Sequence, residues 1–382
     1  MISDKKRYLL DTDIYGTQEE VKNYLLFHEL YKELYDIDFK NTFFALNLNL
    51  TVPKKILNHP HKKIVISYHS EHIHYKELYD IAVDNKDRKF LIISDFSSAI
   101  IEDNEVNSHF WPDNVTMIKW LSWGVQIENA KNIFGIAKEP RIPTKKMSSL
   151  AHRHEFHKAA ITAFILKKFN REEIIVSWHK WLLGDKIYYL EDDYEIHDEI
   201  KKYLFDPEFK KIEKITIDNF NESVNFEIQN TDWRHPAFLD CAVNVTNEST
   251  FQSIGNLHND EMVFIPGPFI TEKTIKPLLS GTAFIHVGQP FLLDELKKLG
   301  INTNFGFPDD YDNEPFEDER ILKIYKTIEI VMNTSLEKLY DDSYKAIVNN
   351  LNCIESGDFY NNCKNRNKQN INKIYEWSLI NP

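Results

Sequence analysis

Cysteine is scarce in this chain: Cys241, Cys353 and Cys363 are the only three in 382 residues, and no Cys-x-x-Cys pair occurs. A sparse, odd set builds neither a disulfide framework nor a structural zinc site, so a reducing, cytoplasmic setting is expected. The sequons at Asn244, Asn247 and Asn333 are then chance matches. No apolar run approaches the about 20 residues that span a bilayer, and no membrane partner is expected. The opening MISDKKRYLL lacks the apolar core and small-residue cleavage site of a secretory signal. No Gly-x-Gly-x-x-Gly, Walker A or Gly-x-Ser-x-Gly pattern is present, which removes the main support for dehydrogenase, P-loop and α/β-hydrolase chemistry. Excess positive charge is lacking too: 46 basic side chains face 59 acidic ones, a net charge of −13. Bulk charge therefore does not draw this chain to nucleic acid, although an acidic chain can still carry a local basic groove.

What is present suits a soluble globular protein, with 42% hydrophobic and 27% charged residues. The length points to two domains. Short apolar runs at Tyr8–Leu10, Phe43–Thr51, Lys63–Tyr68, Phe90–Ser94 and Val115–Trp120 read as strands. Thr17 and Glu20 form a capping-box pattern ahead of a helix over 18–35. Ala137–Lys146, with two prolines and four basic side chains, reads as a linker. A helix over Leu150–Phe169 follows, then strands at Glu173–Trp178, Lys186–Leu190, Ala242–Thr246 and Thr282–Val287. Pro290–Leu299 reads as a helix with proline at its first position and Gly300 past its end. Residues from Pro315 to Ile380 read as helical throughout. Strands alternating with helices, twice over, predict an α/β protein of two doubly wound, Rossmann-like domains facing a cleft. The expected division is residues 1–140, residues 145–312, and C-terminal helices over 313–382 that pack back across the domains.

The stretch Phe269–Gly288 (FITEKTIKPLLSGTAFIHVG) carries the clearest chemistry. Thr271 is placed to cap a helix, which puts Glu272 and Lys273 in its first turn. Unpaired N–H groups and a partial positive charge at such a turn suit a diphosphate. Lys276 lies three residues on, on the same face as Lys273. Glu272 can accept hydrogen bonds from sugar or ribose hydroxyls. On residue chemistry alone, an ordinary capped helix with surface charges is the favoured explanation of the segment.

The segment resembles a fucosyltransferase motif in which Thr-Glu-Lys is followed by a proline-containing helix, a glycine and a short apolar strand ending in glycine. Upstream, Asn244–Ser249 (NVTNES) is similar to the strand and turn that precede this motif in that family, with Glu248-Ser249 where Glu-Asn-Ser is common. The resemblance is closer still to a phage and viral group of fucosyltransferase-like proteins, through Phe269–Pro277, Leu293–Gly300 and Gly306-Phe307. Ala283 stands where that group usually has proline. The resemblance covers roughly residues 145–307 and implies a GT-B fold. It implies a glycosyltransferase, hexosyl- or pentosyl-transferring, that moves a sugar from a GDP- or UDP-sugar to a hydroxyl with inversion. No metal and no other cofactor is expected.

The resemblance also implies roles. Lys145–Lys158 is rich in Lys, Arg and His where the family holds the diphosphate with arginine, so Arg153 is carried over, with His157 and Lys158 beside it. Lys158 replaces an expected arginine and offers no bidentate clamp. Glu248, Ser249, Thr271, Glu272, Lys273 and Lys276 complete the donor side. An inverting transfer needs a base on the acceptor hydroxyl. Glu71, at the end of the strand Lys63–Tyr68, is the first candidate, with His69 and Asp95 in reserve. His69, Glu71, His72 and His74 lack the spacing of a His-Glu-x-x-His metal site. Asp11-Thr-Asp13 lies too near the N-terminus for the Asp-x-Asp of metal-dependent GT-A enzymes, and Asp192-Asp193 and Asp309-Asp310 read as solvated turns. The acceptor is a glycan or other small hydroxyl compound, or hydroxymethylated pyrimidine DNA in a phage-infected host cytoplasm. A non-catalytic GT-B-like binding protein and a nucleotide-sugar epimerase are the rival readings.

Overall fold

The computed structural model describes residues 14–27, 36–48, 59–68, 75–94, 111–151, 155–179, 196–215, 232–248, 251, 254–256, 262–264, 268 and 270–380. The chain is mixed α/β with two parallel-rich five-stranded sheets, and it divides into two compact units. The first comprises residues 1–124, 254–269 and 361–382, and the second residues 125–253 and 270–360.

The first unit contains β1 (Ile14–Thr17), β2 (Thr42–Leu48), β3 (Lys63–Tyr68), β4 (Lys89–Ser94) and β5 (Val115–Lys119), side by side in chain order. β1 is antiparallel to β2, and the other neighbours are parallel. Strand side chains alternate between faces, and so do the cores. Ile64, Ile66, Phe90 and Ile92 pack with Leu78, Ile81 and Ala82 of the helix Tyr75–Asp84. Val65, Leu91 and Ile93 pack on the other face with Val21, Ile374 and Trp377. Val21 lies in the helix Gln18–Phe27, and the last two lie in the helix Asp358–Leu379. The expected glutamate of the capping box is in place: Thr17 N and Oγ1 donate to Glu20 Oε2 at 2.6 and 2.9 Å. Lys63 is buried, and its ammonium lies 4.8 Å from the Trp377 ring centre and donates to the Ser378 carbonyl. A cation at a helix C-terminus satisfies a carbonyl that has no helical partner.

The second unit contains β6 (Lys145–Ala151), β7 (Ile174–His179), β8 (Lys214–Ile215), β9 (Cys241–Asn247) and β12 (Ala283–Val287) in the order β12-β9-β6-β7-β8. β7 and β8 are antiparallel, and the rest are parallel. The helix Phe156–Lys168 leads from β6 towards β7, and the helix Glu272–Ser280 leads into β12. The chain thus leaves β6 in one direction and β9 in the other. Two short strands, β10 (Ile254–Asn256) and β11 (Met262–Phe264), pair antiparallel within the first unit. Among the described residues, no helix is long and apolar enough to cross a membrane.

Several expectations are corrected. The expected linker Ala137–Lys146 runs into β6, and the expected helix start at Leu150 is the end of that strand. β6 has polar side chains, Ser148 and Ser149, at buried positions, which disguised it. Ser148 Oγ donates to the Ala237 carbonyl at 2.5 Å and accepts from Asn244 Nδ2 at 2.9 Å. Ser149 Oγ accepts from Asn247 Nδ2 at 3.0 Å. Buried polar groups are tolerated when paired in this way. The helix expected from Pro290 begins at Leu292 instead. Phe291 takes a left-handed conformation (φ 68°), and its N–H donates to the Asp312 carbonyl at 2.7 Å. The helical C-terminal stretch is three helices, Glu317–Asn333, Leu336–Glu355 and Asp358–Leu379. Tyr8–Leu10, Asp11-Thr-Asp13, Lys186–Leu190 and Asp192-Asp193 lie outside the described residues.

Candidate active site

In an open parallel sheet, ligands bind beyond the carboxyl ends of the strands where the strand order reverses. In the second unit that place is the carboxyl edge of β6 and β9. β6 ends at Ala151, ahead of the helix Phe156–Lys168, and β9 ends at Asn247, followed by Glu248. The first turn of the helix Glu272–Ser280 comes to the same edge, because it is bonded to Glu248.

Glu248 is the node of this edge. It is 1% exposed. Its N–H donates to the Val287 carbonyl at the end of β12 (2.9 Å). Its carbonyl accepts from His157 Nε2 (2.9 Å). Its carboxylate accepts from Thr271 Oγ1 at 2.6 Å, Thr274 Oγ1 at 2.5 Å and Thr271 N at 3.3 Å. One residue thereby ties β9, β12 and the starts of two helices together. Burial pushes the Glu248 carboxyl upward, opposed by the Lys273 ammonium and the two threonine hydroxyls. Gly288 is held against this node: a Cβ there would stand 3.0 Å from Glu248 Cβ and 2.4 Å from the His286 ring.

Thr271 caps the helix as expected, its hydroxyl oxygen accepting from Lys273 N at 3.3 Å. Gly281, left-handed at φ 68°, closes the helix, and Pro277 stands inside it. The Lys273 ammonium donates to Thr271 Oγ1 at 3.3 Å and to Glu272 Oε1 at 2.8 Å. Its side chain is 28% exposed, the access a ligand-binding ammonium needs. Burial works against the Glu272 charge, but Lys273 and Lys276 outweigh it and hold that carboxyl below its usual range. Burial lowers the Lys276 pKa, partly countered by Glu272 and Asp232.

The other helix start brings His157 and Lys158, both nearly inaccessible. Lys158 pairs with Glu155 at 2.6 Å, and burial lowers its pKa. Burial also holds the His157 pKa well below its ordinary value, so the ring is neutral at pH 7. Its bond to a carbonyl then places the proton on Nε2. The ring stacks on Phe251 (4.8 Å between centres, 9° between planes). Phe251 is also covered by the Arg320 guanidinium at 4.1 Å, which donates to the Phe251 carbonyl.

The structure therefore brings His157, Lys158, Glu248, Thr271, Glu272, Lys273 and Lys276 to one strand edge. Lys158 and Lys273 sense each other electrostatically, as do Lys273 and Lys276. The accessible Lys273 ammonium at the Thr271-capped helix start can meet a polyanion such as a diphosphate, whereas Lys158 is enclosed and spent on Glu155. Glu248 is present but differently employed: its oxygens are committed to the helix rather than open to a sugar. Arg153, Ser249, Glu71, His69 and Asp95 lie outside the described residues. Lys145 and Lys146 do not join the cluster. β6 separates them from Lys158, and they bond instead to the Glu172 and Met332 carbonyls at 2.7 Å. Sequence reasoning missed Thr274, Phe251, Glu155 and Arg320. Thr274 had a visible signal, lying three residues beyond Thr271 on one helix face, whereas Arg320 had none. Among the described residues, no three His, Cys, Asp or Glu side chains come together as a metal site. No protein family, curated protein or solved structure matches this chain.

Proposed function

We propose that this chain is a glycosyltransferase of GT-B type that transfers a sugar from a GDP- or UDP-sugar to a hydroxyl acceptor with inversion. The observation that carries this reading is the partly exposed Lys273 ammonium at the Thr271-capped helix start, which Glu248 ties to the carboxyl edge of β6 and β9. The motif resemblance of Phe269–Gly288 supplies the sugar-transfer chemistry. In this reading Lys273 and the turn that carries it neutralise the diphosphate as it leaves, with Arg153 assisting. Glu272 bonds donor hydroxyls. Glu71 takes the acceptor proton, with His69 and Asp95 as the alternatives. Leaving-group charge is met by ammonium groups, so no metal is required. β6 separates Lys145 and Lys146 from Lys158, so these side chains form no continuous basic groove for duplex DNA, which favours a glycan or small-molecule hydroxyl as acceptor.

The test is incubation of the full chain with radiolabelled GDP- and UDP-sugars, a panel of hydroxyl acceptors and EDTA, reading release of the nucleoside diphosphate. The expected outcome is release for one donor class, undiminished by EDTA and abolished by Lys273→Ala. Full activity in that variant, or strict dependence on added metal, would sink the assignment.

A further inference from the structure

We propose that Glu248 is a positioning residue of the diphosphate site, which never touches the ligand but sets the direction in which Thr271 and Lys273 present their polar groups. The inference rests on the anion-site reading above and goes beyond it by assigning the buried carboxylate a different job from ligand contact.

A hydroxyl carries a single proton. Thr271 Oγ1 stands 2.6 Å from Glu248 Oε2, and a carboxylate oxygen only accepts, so the Thr271 proton points at Glu248. The same oxygen stands 3.3 Å from both Lys273 N and Lys273 Nζ, and must accept from them. Its lone pairs are therefore turned to Lys273 because its proton is turned to Glu248. Without that anchor the hydroxyl is free to rotate and to compete as a donor. The second carboxylate oxygen fixes the turn itself, through Thr274 Oγ1 at 2.5 Å and Thr271 N at 3.3 Å. Glu248 cannot drift away to release this relay. Its backbone is bonded on both sides, to Val287 and to His157, and Gly288 packs against its Cβ. With 1% of its surface exposed, it has no face left for a ligand. The chain of contact runs from Glu248 through Thr271 to Lys273, and only the last is open to solvent.

The experiment is calorimetric titration of the full chain with inorganic pyrophosphate, GDP and UDP, carried to millimolar ligand. Thr274→Val removes one bond to Glu248 without altering Lys273 and should weaken binding about tenfold; the buried carboxylate also loses a partner, so the melting temperature falls and binding is read well below it. Thr274→Ser, which keeps the hydroxyl, should restore it. Glu248→Gln turns one acceptor into a donor and reverses the Thr271 hydroxyl, so it should also weaken binding about tenfold. In a Lys273→Ala background the Thr274→Val loss should shrink to about twofold or less, because the group being positioned is gone. An undiminished loss in that background, or unchanged affinity in Glu248→Gln, would overturn the relay while leaving the anion site standing. Failure of the wild-type chain to bind any of the three probes would overturn the anion site, and the relay with it.

Discussion

The two sheets are built from similar strands and differ in order, and the difference locates the candidate chemistry. In the first unit β2, β3, β4 and β5 follow one another across the sheet, each connection stepping the same way. In the second, the chain moves outwards from β6 to β7 and β8, then returns to place β9 on the other side of β6. Diverging connections leave a crevice at the carboxyl edge, and uniform ones close over it. The buried lysines show the same contrast. Lys63 in the first unit is spent on the end of a helix, where it holds the Ser378 carbonyl. Lys158 and its neighbour Lys273 in the second unit stand with Glu155 and Glu272 at helix starts, where incoming negative charge is favoured.

The sharpest way to break this comparison is to remove the partly exposed ammonium. Lys273→Ala should cost about 1.5–3 kcal/mol of pyrophosphate, GDP or UDP binding, which titration reads as roughly a 10- to 100-fold loss. Its melting temperature should stay close to that of the wild type, since the side chain is not in the core. Gly288→Ala comes next. Its new Cβ would collide with the buried His286 ring, which can move away only by giving up its bond to the Gln289 carbonyl. A stability loss of about 1–3 kcal/mol, measured by urea unfolding, should accompany weaker diphosphate binding.

A third prediction concerns pH. Burial pushes the Asp312 carboxyl up to about 8, and it accepts from Leu293 N at 2.9 Å. An unfolded aspartate titrates near about 4, so between these values the folded state holds a proton that the unfolded chain has lost. This group's contribution to stability therefore falls as pH rises through that window. His286, held down to about 3 by burial, acts in the opposite sense while the unfolded histidine is charged. Above about pH 6.5 that opposition ends, so wild-type stability should decline towards pH 8. Asp312→Asn should flatten the decline, and an unchanged slope would refute the assignment. The smallest effect is expected in the first unit. Lys63→Met should cost about 1 kcal/mol through the lost helix-end contact and leave diphosphate binding unaltered.

Much of the α/β pattern was legible because buried parallel strands are continuous apolar runs: Lys63–Tyr68 coincides with β3, and Phe90–Ser94 falls within β4. β6 was not legible, because two of its buried positions are Ser148 and Ser149 and only the facing Asn244 and Asn247 explain how they are tolerated. That omission also made Lys145–Lys158 look like one basic cluster when a strand separates its ends. On the site, Thr271 and Lys273 were readable from local helix-start chemistry. The node at Glu248 was visible as a residue but not as a role, since its partners Thr274 and His157 stand 26 and 91 residues away. Arg320, which holds the ring beneath His157, is far from the motif in sequence and common in type.

Hydrogen exchange with and without saturating GDP or UDP tests the central claim most directly. The account predicts slowed exchange in the first turns of the helices Phe156–Lys168 and Glu272–Ser280 and at the end of β9, with the middle of β3 and β4 unchanged. Protection confined to the first unit, or no protection at the Thr271–Lys276 turn despite measurable binding, would contradict it.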